Sequence, residues 1–69
     1  MVISKRIQEY KATSVVEYVM YENHYSSGKV TYSIGKRNYK EDRLIDWVVR
    51  NVRKDTAEAV WYDTVIDRP

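Results

Sequence analysis

The chain has 69 residues, of which 43% are hydrophobic and 32% charged, with a formal net charge of +2. A chain of this length allows one small domain and excludes two, because two cores would each be too small for burial to outweigh chain entropy. The absence of cysteine excludes a disulfide framework and a thiolate zinc site. We therefore expect a single globular domain over residues 1–69, stabilised by packing or by a partner.

The N-terminal stretch MVISKRIQEYK predicts a strand or a helix. Ile3, Ile7 and Tyr10 suit a helix, whereas Val2 and Ile3 suit a strand that leads to the next element, and we favour the strand. Its charges stand where a signal peptide needs an apolar core, and no apolar run in the chain is long enough to span a membrane. We therefore expect a cytoplasmic protein that does not engage a membrane.

Residues 15–35 predict a β-hairpin. Val30, Tyr32 and Ile34 alternate with polar residues, which is the period of a strand with one buried face. Upstream, SVVEYVMYEN is rich in β-branched and aromatic residues, and HYSSG forms a polar connection between the two runs. Because the upstream strand is apolar on both faces, we expect its second face to be covered by a terminal segment or by a partner.

The next stretch, GKRNYKEDRLIDWVVRNVRK, predicts an amphipathic helix over about residues 39–53. Asn38, followed three residues later by Glu41, matches a helix-capping pattern. The apolar residues that follow recur at helical spacing. They are Leu44, Ile45, Val48, Val49 and Val52, with Trp47 at the edge of the stripe. We expect this apolar face to pack on the sheet.

A final strand is predicted over about residues 58–66, where Val60, Tyr62, Thr64 and Ile66 alternate with the residues between them. The expected fold class is α+β. It consists of a small antiparallel sheet, built from the β-hairpin and the terminal strands, with one amphipathic helix packed across it in the order β-β-β-α-β.

The sequence does not predict an enzyme. The only histidine, His24, lies in the polar hairpin loop, where a buried carboxylate to orient it is rare. Glu41 and Asp42 are explained by capping rather than by acid–base chemistry. One histidine, no cysteine and scattered acidic residues predict no metal site, and neither glycine belongs to a phosphate-binding loop. We therefore expect no catalytic residues and no cofactor.

A basic middle segment makes nucleic acid one candidate partner. Residues 28–54 carry eight positive and three negative side chains, whereas residues 55–69 carry one positive and four negative. Positive side chains with aromatic residues between them can follow a nucleic-acid backbone, although the pI of about 8.9 is below that of a strongly basic binder. The candidate residues are Lys36, Arg37, Tyr39, Lys40, Arg43, Arg50, Arg53 and Lys54.

The hypothesis that we favour is a small regulatory or inhibitory protein that binds a larger protein partner. Its aromatic residues are seven Tyr and two Trp with no Phe, and Tyr and Trp are typical interface anchors. The candidate contacts are Val19, Tyr21, Tyr25 and Trp61, and Trp47 is a further possible anchor, although each Trp is more often a core residue. A bacterial or phage regulator, or one from another mobile element, would fit this size and composition, and a homo-oligomer that closes the second sheet face stays open as well.

Overall fold

The computed structural model describes residues 1–66. Four strands come first along the chain and a helix follows them. These elements are β1 (Val2–Lys11), β2 (Val16–Tyr25), β3 (Val30–Asn38), β4 (Arg43–Val52) and α1 (Lys54–Val60), which continues as a π-helical segment (Trp61–Ile66). We call α1 and the π-helical segment together the C-terminal helix. The strands are antiparallel and pair in the order β1-β2-β3-β4, so that each strand lies beside its neighbours in sequence.

The antiparallel pairing of β2 with β3 confirms the predicted hairpin. Its turn contains Gly28, whose φ of +92° lies in the left-handed region that glycine adopts without a steric penalty. The N-terminal stretch forms β1, so the favoured prediction of a strand is confirmed there too. None of the helical segments in residues 1–66 is long and apolar enough to cross a membrane.

The predicted helix over residues 39–53 is wrong, because residues 43–52 form β4 and pair with β3. The sequence of β4, RLIDWVVRNV, is rich in β-branched and aromatic residues, which favour a strand. Its apolar residues matched helical spacing because the β3–β4 pairing has three register irregularities, and each one interrupts the alternation of side chains. The period of two was therefore hidden in the sequence.

The capping pattern at Asn38 closes a turn instead of starting a helix. Asn38 Oδ1 accepts hydrogen bonds from the backbone N–H groups of Lys40 and Glu41, at 3.1 and 3.0 Å. The same two bonds serve a helix start or a tight turn, because in both the side chain replaces a missing backbone acceptor. Here the chain leaves the turn at Asp42, whose φ is 54°, and enters β4 as an extended strand.

The predicted final strand over residues 58–66 is also wrong, because these residues belong to the C-terminal helix. Ala57, Trp61 and Val65 are spaced four residues apart and are all buried, with 0%, 7% and 1% of their surface exposed. Residues four apart lie on one side of a helix, so this face packs as a unit. The element order is therefore β-β-β-β-α rather than β-β-β-α-β.

The hydrophobic core lies between the C-terminal helix and one face of the sheet, which we call the helix face. The sheet contributes Tyr18, Met20, Tyr32 and Ile34, and the helix contributes Ala57, Trp61 and Val65. Side chains alternate along a strand, so the residues between these sheet positions point to the opposite side. We call that side the open face, because residues 1–66 place no helix or strand over it.

Candidate functional site

An aromatic pair crosses β3 on the open face. The ring centroids of Tyr21 and Trp47 lie 5.9 Å apart at 65°, an edge-to-face geometry that stabilises by about 0.5–1.5 kcal/mol beyond burial. The rings meet near Gly35, where a Cβ would lie 3.4 Å from each ring and 2.9 Å from Leu44 Cδ1. Both rings are half-buried. The lack of a side chain at Gly35 therefore leaves the space in which the two rings meet.

Arg50 covers part of the Trp47 ring. Its guanidinium carbon lies 5.0 Å from the ring centroid, within the range of a cation–π contact. Arg50 makes no ion pair with any described residue, whereas Arg37, Arg43 and Arg53 each do. Its positive charge is thus held over an aromatic ring and is not neutralised by a neighbouring carboxylate in this part of the chain.

A bulge in β4 presents two consecutive residues to the same cavity. Between two regular pairs of the β3–β4 ladder, Arg50 and Asn51 together lie opposite Ser33. Two residues against one define a β-bulge, which turns a side chain out of the usual alternation. Asn51 has a φ of 53°, a left-handed conformation that asparagine tolerates better than most residues. The bulge is therefore compatible with the residue that occupies it.

Buried polar residues beneath this surface are joined through Asn23. Ser4 Oγ donates to Asn23 Oδ1 at 2.7 Å, which links β1 to β2. Asn23 Nδ2 donates to Thr31 Oγ1 at 3.3 Å and to Ser33 Oγ at 3.0 Å, which links β2 to β3. Asn23, Thr31 and Ser33 are all buried, so these bonds offset the cost of removing polar groups from water.

Asn51 extends the same network to β4. Its Oδ1 accepts from the Tyr25 hydroxyl at 2.9 Å and from Thr31 Oγ1 at 3.2 Å, and its backbone N–H donates to Ser33 Oγ at 3.0 Å. All four strands are therefore joined by side-chain hydrogen bonds on the open face. Such bonds fix the orientation of Tyr25 and Asn51 before any ligand arrives.

These side chains line an open cavity of about 180 Å³. The lining residues include Ser4 of β1, Asn23 and Tyr25 of β2, and Trp47, Arg50 and Asn51 of β4. The cavity thus combines an aromatic wall, a cation without an ionic partner in the described residues, and an ordered set of amides and hydroxyls. We call it the Trp47 cavity.

The residues predicted to contact a protein are divided between the surface and the interior. Tyr21 and Tyr25 lie on the open face and are half-buried. Val19 also belongs to the open face but is 0% exposed, and Trp61 is buried in the core under the C-terminal helix. Val19 and Trp61 are therefore structural residues, and they are left out of the candidate surface.

The basic residues proposed for nucleic acid do not form one surface. Lys36 pairs with Tyr18 and Asp46 on the helix face, and Lys54 begins α1. Tyr39 and Lys40 lie in the β3–β4 turn. Arg43 and Arg53 are bound to acidic neighbours, Glu41 at 2.6 Å and Asp55 at 3.2 Å. The positive charges are therefore scattered, and several are neutralised locally.

Arg37 faces the open side but is largely enclosed. Its Nε lies 3.7 Å from Glu17 Oε2, and its Nη2 lies 2.6 Å from Asp42 Oδ1. Only 13% of the Arg37 side chain and 5% of the Glu17 side chain are exposed. An enclosed arginine with carboxylate partners forms a structural ion pair. Of the basic residues proposed for nucleic acid, Arg50 is the one that lines the Trp47 cavity.

His24 lies inside β2, so its placement in the hairpin loop was wrong. Its Nε2 lies 2.6 Å from Glu22 Oε1, while the Tyr32 hydroxyl donates to Glu22 Oε2 at 2.9 Å. The hydrogen bond to His24, and after it the one from Tyr32, lowers the pKa of Glu22 below 4.5. The same bond to Glu22 raises the pKa of Tyr32 above 10.0. His24 therefore has a local role as the partner of Glu22.

The sequence indicated Trp47 only as a possible anchor at the edge of the helical stripe and did not place Asn51 in a site, because both lay within the predicted helix. The one signal for Asn51 is an asparagine inside a run of β-branched residues, where it is disfavoured unless the backbone is irregular. Residues 1–66 contain no group of three acidic or histidine side chains that could hold a metal ion. Comparison with known protein families, curated proteins and solved structures finds no match for this chain.

Proposed function

We propose that this protein is a non-enzymatic binding module whose open face contacts a larger protein partner. The observation that carries the proposal is the Tyr21–Trp47 pair, two large rings held in a defined geometry on a sheet face that no described element covers. Aromatic side chains in such positions are the most frequent anchors of protein interfaces. Because both rings are half-buried and in mutual contact, little side-chain entropy is lost when a partner covers them.

The surroundings of the aromatic pair also suit a protein interface. Tyr25 and Asn51 hold hydrogen bonds to their neighbours and lie beside the rings at the Trp47 cavity. Interfaces commonly combine an aromatic centre with polar groups around it. A partner needs to cover roughly 800 Å² on each side, a modest part of the 4770 Å² that this chain exposes. A contact of standard size would therefore cover about one sixth of the surface of this chain.

Two features make a nucleic-acid partner the weaker alternative. Single-stranded nucleic acid binds where bases stack on exposed ring faces and phosphates follow a continuous line of positive charge. Arg50 already lies over the Trp47 ring, and the basic residues are spread over the helix face, the β3–β4 turn and the start of α1. The covered Trp47 ring and the dispersed charge both disfavour nucleic acid at the open face.

A regulatory or inhibitory role follows from the same proposal. A module that binds through one face acts on its partner by covering part of the partner's surface or by holding it in one conformation. Our hypothesis for the biological setting is a phage or bacterial regulator.

The test compares Arg50→Glu with Arg43→Glu in binding to a purified partner, first identified by capture on immobilised wild-type protein. Both changes reverse one charge in β4, but Arg43 pairs with Asn38 on the helix face. Arg50→Glu should weaken binding by about tenfold or more, or about 1.4 kcal/mol, while Arg43→Glu should leave it nearly unchanged. Circular dichroism and thermal melting check that both variants fold.

Equal losses in both variants would contradict a contact at the open face. Fluorescence anisotropy with labelled single- and double-stranded nucleic acid provides the second arm. Submicromolar binding to nucleic acid that falls steeply with salt, and falls equally in the two variants, would favour the nucleic-acid alternative and overturn the proposal.

A further inference from the structure

We infer that the Trp47 cavity receives a carboxylate side chain, Asp or Glu, from the protein partner. This inference rests on the proposed function and names the chemical group that the open face recognises.

The cavity has spare donors and few spare acceptors. Asn51 Oδ1 already accepts two hydrogen bonds, Ser33 Oγ accepts two, and Asn23 Oδ1 accepts one. In contrast, the Asn51 Nδ2 group donates to no acceptor in residues 1–66, and neither does the guanidinium group of Arg50. A ligand that complements such a site supplies oxygen acceptors, because the NH₂ group of an asparagine and a guanidinium group can only donate.

The arginines of the described chain divide into two sets. Arg37, Arg43 and Arg53 each lie within ion-pair distance of a carboxylate. Arg6 and Arg50 make no ion pair with a described residue, and both belong to the open face, since Arg6 pairs with Tyr21 across the β1–β2 ladder. The arginines without carboxylate partners therefore flank the aromatic pair, and an acidic partner would complement them.

The size of the cavity favours a side chain over a free small molecule as its ligand. Its volume of about 180 Å³ is below the roughly 300–1,000 Å³ typical of pockets that enclose a cofactor or a drug-sized ligand. A carboxylate on a short side chain needs less space and can pair with a guanidinium group through two parallel hydrogen bonds. The rest of the partner would then lie over Tyr21 and the neighbouring open face.

The bulge gives this arrangement a structural origin. A regular strand would send Arg50 and Asn51 to opposite faces, so they could not line one cavity. The bulge brings both to it, and Asn51 adopts a φ of 53° in doing so. Conformations of this kind carry an energetic cost and concentrate at functional sites.

The experiment is an NMR titration of the whole ¹⁵N-labelled chain with acetyl-glutamate amide at constant ionic strength. Acetyl-glutamine amide is the neutral control, and inorganic phosphate is titrated separately. Acetyl-glutamate amide should shift the side-chain amide of Asn51 and the indole N–H of Trp47 saturably, with a dissociation constant on the order of millimolar. Acetyl-glutamine amide should produce no saturable shift.

Two variants and a control connect the shifts to the residues. Arg50→Gln should weaken the binding of acetyl-glutamate amide by about tenfold or more, which is the loss expected for a hydrogen bond to a charged group. Aspartate tolerates the left-handed conformation as asparagine does, and Asn51→Asp keeps the Oδ1 acceptor. It replaces the NH₂ donor with an oxygen, so it should abolish the shifts at Trp47. Arg43→Gln, on the helix face, should leave them unchanged.

The inference fails if no saturable shift occurs up to about 50 mM, a limit well above the expected affinity. Saturation by phosphate without saturation by acetyl-glutamate amide would overturn it as well, and would point to a phosphorylated or nucleic-acid ligand. Both results are distinct from failure of the proposed function. A partner that binds the open face without an acidic side chain in the cavity would still lose affinity for the Tyr21→Ala variant.

Discussion

The guanidinium group of Arg50 lies over the indole ring of Trp47, 5.0 Å from its centroid. The two residues are three positions apart in β4, an interval at which side chains of a regular strand point to opposite faces. They meet because β4 has one extra residue, Val48, between the Gly35–Trp47 pair and the Ile34–Val49 pair of the ladder. A local irregularity of the backbone thus creates the contact around which the candidate surface is built.

We expect Gly35→Val to disrupt the aromatic pair. The branched side chain of valine would be forced between the rings of Tyr21 and Trp47, since even a Cβ at position 35 lies 3.4 Å from each ring. Overpacking of this kind costs about 1–3 kcal/mol. Urea unfolding should show this loss, and the near-ultraviolet circular dichroism of the two rings should change with it.

Gly35→Ala is the matched control for that change. Its one close contact, 2.9 Å, is with Leu44 Cδ1, the free end of a flexible and partly exposed side chain that can move aside. The free energy of unfolding should therefore change by less than about 1 kcal/mol. If alanine destabilised the protein as much as valine, the rings would not be the groups that limit this position.

Trp61→Ala should unfold or severely destabilise the protein. Trp61 is 7% exposed and packs in the core with Ala57 and Val65. Truncation of a buried Trp costs about 3–5 kcal/mol, which is a large part of the stability of a small domain. Tyr62→Ala, at a neighbouring residue that is 60% exposed, should change stability by only about 0.5 kcal/mol. Similar melting temperatures for the two variants would show that Trp61 is not a core residue.

Glu17→Ala should destabilise the protein far more than Glu41→Ala. Glu17 is 4% exposed and faces the enclosed guanidinium of Arg37, so its removal leaves a positive charge with less compensation, at a cost of about 3 kcal/mol. Glu41 pairs with Arg43 in solvent, where such a pair contributes about 0–1 kcal/mol. Chemical denaturation measures both values. Equal, small losses would mean that Asp42 alone compensates Arg37.

The Glu22 carboxylate should make stability depend on acid. The hydrogen bonds from His24 and then Tyr32 lower the pKa of Glu22 in the folded protein below 4.5. Because the folded pKa is the lower one, this contribution is fully present above pH 4.5 and is lost as the pH falls through the folded value. Thermal melting between about pH 7 and pH 2 should therefore show a shallower acid-side decline for Glu22→Gln than for the wild type. Parallel curves would contradict the role assigned to this hydrogen bond.

The hairpin and part of the candidate surface were predictable because their signals are local. Val30, Tyr32 and Ile34 alternate without interruption, so the period of β3 is visible in the sequence over the stretch that predicted it. Val19 and Tyr21 alternate in the same way in β2, whereas Tyr25 was predicted to lie in the connection and is the last residue of β2 instead. The burial of Val19 was not predictable from that alternation, because it depends on what lies around it in the centre of the sheet.

The segment predicted as a helix is a strand, and the segment predicted as the final strand is helical, because the local signals of both were ambiguous. The Asn38 pattern suits a helix cap and a turn equally well, since both use the same side-chain hydrogen bonds. The period of β4 was obscured by its irregular pairing with β3, while Val60, Tyr62 and Ile66 alternate by coincidence within a helix. Neither ambiguity can be resolved without the partners that each segment meets.

The sequence by itself determined a small chain with a regular β-hairpin, aromatic residues suited to a contact surface and a basic middle segment. The tertiary structure decided that residues 43–52 pair with β3 as a strand and that Ala57, Trp61 and Val65 cover the sheet as a helical face. It also decided that Trp47, Arg50 and Asn51 share one cavity. The physical reason is that strand pairing, bulges and burial are set by contacts between residues distant in sequence, which can override weak local preferences.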